Sequence, residues 1–258
     1  MIRLILGIAA VLFSWIASLS AQVTASADSA PRHKVLLVEL FTSEGCSSCP
    51  PADALLRRIN GTEPSPDELI VGISEHVTYW NSLGWSDPFS SSTYTDRQNF
   101  YATRFGLDSV YTPQMVVNGA EQFVGSDKAS LAAALQKERS LPSSVDLRIL
   151  SMNIDGDFLN VGFSAAGDAS AKGADIVAVL ADDLVTSSVP RGENSGRTLS
   201  HVAVALSLQR VAKLQATATQ AVRISLPSSL RTSSGHHLIL FAQAPSTGRI
   251  LGADSKPL

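Results

Sequence analysis

Apolar residues run almost unbroken through "HKVLLVELFTS" (33–43), a pattern that predicts a strand buried on both faces. In "PPADALLRRIN" (50–60) the period changes. Leu55, Leu56 and Ile59 share one helical face, and Gly61 marks the stop. "LIVGISEHV" (69–77) returns to strand, parallel to the first if the helix between them is a crossover. The aromatic, polar segment "TYWNSLGWSDPFSSS" (78–92) has no clean period and reads as an inserted loop. "TYTDRQNFYATRF" (93–105) fits a helix capped by Gly106. "PQMVVNGAEQFVG" (113–125) fits a hairpin turning at Asn118-Gly119, and 126–140 a helix with Ser126 as N-cap.

The pattern shifts at "LPSS" (141–144), which reads as a linker. Beyond it come "VDLRILSMNI" and "FLNVGFSA" around an Asp155-Gly156-Asp157 turn, then "ADIVAVLADD", "HVAVALSLQRV", "AVRISL" and "HHLILFAQ". Short strands with polar turns predict a β-sandwich. The stretch 208–220 fits helix as well as strand. The expected organisation is an α/β domain over 33–140, a central mixed sheet flanked by helices, followed by an all-β sandwich-like domain over 145–258.

Composition adds the compartment. Arg3 followed by the apolar run 4–19 and by "ASA" at 25–27 has the form of a signal peptide, 1–27, cut after Ala27 or alternatively after Ala21. The run is short for a span and diluted by Ser14 and Ser18, so no transmembrane span is expected in the mature chain. The expected location is periplasmic or secreted. The chain has 258 residues, 45 % hydrophobic and 17 % charged, with a formal net charge of −3. A packed body is expected, and the absence of a basic field argues against nucleic acid as a partner.

Candidate chemistry sits in "VELFTSEGCSSCPPAD" (38–53), which holds both cysteines of the chain. A bridge closing a two-residue loop constrains the unfolded chain little, so the pair is a poor staple and a good reactive dithiol. At a helix start, free backbone N–H groups and the helix dipole favour a thiolate. On that geometry Cys46 attacks and Cys49, one turn into the helix, resolves. Pro50 falls in the first turn, where a missing N–H costs little. A four-cysteine zinc site is excluded by the count. In "YTPQMVV" (111–117), Pro113 ahead of a strand is either a simple strand start or a cis-proline beside the cysteines that aligns an extended substrate.

With "YTPQMVVNG" and the later "PRGENSGRTLSH", the cysteine segment resembles a bacterial family of exported thioredoxin-like proteins of unknown function. That resemblance implies a thioredoxin-like fold for the first domain. It assigns Cys46, Cys49 and Pro113 as nucleophile, resolving thiol and cis-proline. It also suggests Glu39 as the buried proton acceptor, against a reading of Glu39 as a solvent-facing strand end. Thr112, Trp80 and Trp85 are candidate substrate contacts. The expected partners are a protein or small thiol or disulfide substrate and a redox partner protein, with no cofactor.

Two other functions stay open. Cys46, Cys49 and His76 form a donor set that suits copper(I), which would make the chain a metal-delivery module. Alternatively the chain is a non-catalytic binding protein whose β half acts. The loop 190–201, with Arg191, Glu193, Asn194 and Arg197, reads as a docking segment between the halves.

Overall fold

The computed structural model describes residues 34–215, 219–231 and 235–258. The leader and its cleavage site lie outside the described residues. The first half runs β1 (Lys34–Thr42), α1 (Pro50–Ile59), β2 (Glu68–His76), α2 (Ser92–Phe105), β3 (Gln114–Val117), β4 (Glu121–Val124) and α3 (Lys128–Arg139). The second half runs β5 (Val145–Asp155), β6 (Phe158–Gly167), β7 (Asp175–Val189), β8 (Arg197–Lys213), β9 (Thr219–Ser225), β10 (His236–Gln243) and β11 (Ile250–Pro257).

The expected fold class is overturned. The structure is mostly β, 47 % strand against 19 % helix, and is not a thioredoxin α/β fold followed by a separate sandwich. One eight-stranded mixed sheet, ordered β11-β10-β7-β8-β2-β1-β3-β4, takes strands from both halves. The remaining strands form a small sheet, β5-β6-β9. β7 and β10 bury apolar residues on both faces, Ile176, Leu180 and Leu240 on one and Val177, Val179 and Phe241 on the other, so they sit inside the large sheet. The described residues form a single compact unit in which 141–144 joins α3 to β5.

Side-chain alternation sorts β1 between two cores. Leu36, Val38 and Leu40 pack on Leu55 and Leu56 of α1 and on Leu131 of α3. Val35 and Leu37 point the other way, into a cluster with Tyr94 of α2 and with Val177, Val179, Ile239 and Phe241 of the second half. A third cluster seats Leu147, Val161 and Phe163 of the small sheet on Ile176, Leu180 and Leu240 of the large one.

Local chemistry explains the turns. Asn118 takes a left-handed conformation (φ 48°) at the hairpin, and its side-chain oxygen accepts a hydrogen bond from Leu37 N at 2.9 Å. The N-cap of α3 is Asp127, not Ser126: its carboxylate accepts from Ala129 N and Ser130 N. Within 208–220, Leu208–Lys213 ends β8 and Thr219 opens β9, while 216–218 lie outside the described residues. β2 and β8 pair in parallel at one position, Ser74 with Val204. Away from it a cavity of about 400 Å³ lies between Leu69, Val71, Ala181, Ala203 and Ile239.

Candidate active site around Cys46 and Cys49

Strand β1 delivers the chain into a tight turn, and Cys46 and Cys49 are joined there as a disulfide. Cys49 N–H donates to Cys46 O at 3.2 Å, and Cys49 is itself the N-cap of α1. It therefore precedes the helix rather than lying one turn inside it. Both cysteines are fully buried, while Ser47 and Ser48 between them are exposed. Ser48 Oγ lies 3.3 Å from Cys46 Sγ.

The expected support from helix-start N–H groups is largely absent. Pro50 and Pro51 fill the first two helical positions and carry no N–H, and Ala52 N is spent on Cys49 O at 2.8 Å. The prolines pre-set the turn without offering donors to sulfur.

The Thr112–Pro113 peptide is cis. Gly125 shows where Pro113 packs. A Cβ at that glycine would lie 3.2 Å from Pro113 Cβ, 3.1 Å from Ala52 Cβ and 3.0 Å from Leu40 Cδ1. The proline thus sits against the first turn of α1. Thr112 Oγ1 accepts a hydrogen bond from Trp80 Nε1 at 2.7 Å, and Trp80 Cβ closes on Gly45. Trp85 Nε1 donates to Glu44 Oε2 at 2.8 Å. Of the candidate substrate contacts, Thr112 and Trp80 are brought together; Trp85 serves the other side of the cysteine turn.

Glu39 is buried rather than facing solvent. It shares the parity of Val35 and Leu37, away from α1, where it pairs with Arg97 and accepts from Tyr101 OH at 2.6 Å. His76 is also buried, with Nδ1 2.7 Å from Asp87 Oδ2. Among the described residues no group of three or more His, Cys, Asp or Glu side chains is arranged to hold a metal ion.

What surrounds the cysteine turn instead is a buried acid–imidazole cluster. Glu44 lies two residues before Cys46, and Asp53 lies one helical turn after Cys49 on the same helix face. His201, from β8, spans them, with Nε2 3.5 Å from Glu44 Oε1 and Nδ1 3.4 Å from Asp53 Oδ1. Thr42 Oγ1 donates to Asp53 Oδ1 at 3.1 Å, and Ser187 Oγ donates to Glu44. Burial would lower the His201 pKa, but Asp53 and Glu44 outweigh it and push it up to about 9. Burial would raise the Glu44 carboxyl, but the contact with His201 and hydrogen bonds from Ser187 and Trp85 hold it below its usual value. Burial likewise opposes ionisation of Asp87, and His76 with backbone N–H donors overcomes it.

The loop 190–196 docks on the same turn. Asn194 Nδ2 donates to Glu44 O at 2.8 Å and Cys46 O at 2.9 Å, and Arg197 Nη1 holds its side-chain oxygen at 2.8 Å. Glu193 accepts from Ser47 N at 2.9 Å and Ser47 Oγ at 2.6 Å. Arg191 is exposed. Sequence reasoning missed Glu44, Asp53 and His201 as a set. Their partners are 148–157 positions apart, and the only signal was that His201 closes the "PRGENSGRTLSH" stretch.

A family model described as "Protein of unknown function (DUF1223)" matches residues 37–243. The chain belongs to the DUF1223 family. A crystallised protein from Agrobacterium tumefaciens is 30 % identical, with a TM-score of 0.63 over 88 % of this chain and 95 % of that one. HBP35 of Porphyromonas gingivalis, at 15 % identity, has a TM-score of 0.63 over 88 % of this chain and 76 % of its own, a likeness of fold alone. No curated protein matches the chain. The DUF1223 match spans the cysteine turn, the cis-proline and His201, so the cluster lies wholly inside the family's matched segment.

Proposed function

We propose that the chain is an exported thiol–disulfide oxidoreductase acting through Cys46 and Cys49. The observation that carries this reading is the Cys46–Cys49 disulfide at the start of α1 with the cis Thr112–Pro113 bond packed against the same helical turn. That local arrangement resembles the redox site of thioredoxin-like proteins, set here in a different sheet. A thiolate of a protein or small dithiol substrate attacks Cys46 Sγ. The Cys46–Cys49 bond breaks, and Cys49 leaves as a thiolate with the electron pair. The second substrate thiolate then attacks the mixed disulfide, closes the substrate disulfide and releases Cys46. The substrate loses two electrons and two protons, and the protein pair gains them. A redox partner protein reverses the change in the pair.

Cys46→Ser tests this: exchange with a model dithiol falls to background, and an unchanged rate overturns the proposal. The complete burial of both cysteines favours a second reading, a non-catalytic protein whose bridge is inert. Under that reading the wild-type pair stays oxidised in cells when the thiol poise is shifted, and wild type exchanges no faster than Cys46→Ser.

A further inference from the structure

Charge around the cysteine turn is adverse to thiolates except at one residue. Glu44 and Asp53 bracket the turn in sequence, Glu193 accepts from Ser47 between the cysteines, and nearby anions disfavour a further one. Pro50 and Pro51 remove the helix-start N–H donors that commonly offset such a field. Ser48 supplies only a neutral hydroxyl beside Cys46. The remaining groups packed around His201 are His76, whose ring centroid is 4.7 Å away, and Asp87, which holds His76. Arg57 of α1 reaches only the carbonyl of Ser200, at 3.3 Å, from an exposed position. Among the described residues, the buried cation in contact with both Glu44 and Asp53 is His201.

We infer that His201 is a positioning residue of the disulfide site: carried in on β8, it neutralises Glu44 and Asp53 and so allows Cys46 and Cys49 to leave as thiolates. The redox site is composite, its cysteines from the first half of the chain and its counter-cation from the second. This deepens the oxidoreductase reading and rests on it. The exchange step is the one written above. His201 touches neither the substrate nor the sulfurs in that step. It acts through the two carboxylates.

The test is a titration of the fully reduced protein, following ultraviolet thiolate absorbance. In His201→Gln the midpoint moves up, and the thiolate fraction at pH 7 falls about tenfold, the equivalent of one unit of pKa. His201→Lys returns the cation and restores the midpoint. Adding Glu44→Gln and Asp53→Asn to His201→Gln removes the anions as well and also restores it, which a merely structural role for His201 does not predict. Circular dichroism confirms that each variant is folded. The triple variant, free of unpaired buried charge, keeps the test decisive if His201→Gln alone does not fold: a raised midpoint in it overturns the inference. An unchanged midpoint in folded His201→Gln overturns it too. Failure of the oxidoreductase reading shows separately, as no exchange by the wild-type protein, because the titration needs no substrate.

Discussion

Neither carboxyl oxygen of the buried Glu75 has a hydrogen-bond partner, and its nearest cation, Arg97 Nε at 3.5 Å, is already bonded to Glu39. One guanidinium cannot neutralise two carboxylates. Burial, with the Glu39 charge adding to it, raises the Glu75 pKa well above the ordinary value of 4.5, and Arg97 only partly opposes this. The native protein therefore holds a proton on Glu75 at pH values where the unfolded chain has lost it. With more protons bound in the native state, stability falls as pH rises above about 4.5, the ordinary glutamate range. Glu75→Gln keeps the neutral shape and removes this loss. The expected result is a flatter dependence of Tm on pH and a Tm at pH 7 raised by a few °C, roughly the response of a chain this size to 1 kcal/mol. Thermal melts from pH 4 to 8 check it, and a steeper pH dependence in the variant would refute the protonation argument. Arg97→Met is expected to do the opposite, leaving Glu39 buried without its cation at a cost of about 3–5 kcal/mol.

At the scale of elements, the segment 190–196 is held on the cysteine turn by side chains and not by strand pairing. Asn194 bridges two carbonyls of the turn, and Glu193 occupies both donors of Ser47. The Glu193 carboxyl is held below its usual value by those Ser47 hydrogen bonds, so the contact persists at neutral pH. Both cysteines are buried and the segment packs on the turn that holds them, so releasing these contacts is expected to ease a reductant's approach. Asn194→Ala and Glu193→Gln are therefore expected to speed reduction of Cys46–Cys49 by dithiothreitol several-fold, with little change in Tm. Equal rates in wild type and both variants would show that the segment does not guard the pair. Most elements were legible in the sequence because their signals are local. Period changes place β1, α1 and β2, and the Asn118-Gly119 turn fixes the hairpin. The strand β11 was not legible, since "ILGADSKP" lacks alternation and gains its order by pairing with β10. The cysteine turn and the proline ahead of β3 show in local spacing, whereas which of the two cores Glu39 joins shows only once the packing on each face of β1 is known.

At the scale of the whole molecule, the sequence concealed the join between the halves because its contacts are all long-range. Besides those at the cysteine turn, hydrogen bonds join the halves in the core: Tyr94 OH donates to Ala205 O at 2.7 Å, Arg97 Nη1 donates to Gln243 Oε1 at 3.1 Å, and Gln243 Nε2 donates to Tyr101 OH at 3.0 Å. Ile250 N donates to Asn118 O at 2.8 Å, tying β11 to the hairpin turn. Most of the adhesion is apolar. Val35, Leu37, Val71 and Ile73 of the first half share one cluster with Val177, Val179, Ile239 and Phe241 of the second. Cutting the chain at 141–144 exposes that face on both pieces, and each buried aliphatic side chain uncovered costs about 1.5–3 kcal/mol. For residues 34–140 the four of them come to roughly 6–12 kcal/mol, comparable with the whole ~5–15 kcal/mol by which domains are stable. Residues 34–140 produced alone are therefore expected to lack a cooperative thermal transition, although they hold the cysteines and the cis-proline. The intact protein is expected to unfold in one calorimetric step, with calorimetric and van't Hoff enthalpies equal. Two separable transitions, or a fragment that melts cooperatively and exchanges disulfides at the full rate, would contradict both the shared core and the composite site. The fragment lacks Asn194 and His201, so any thiol chemistry it retains proceeds without the second half's cation beside Glu44 and Asp53.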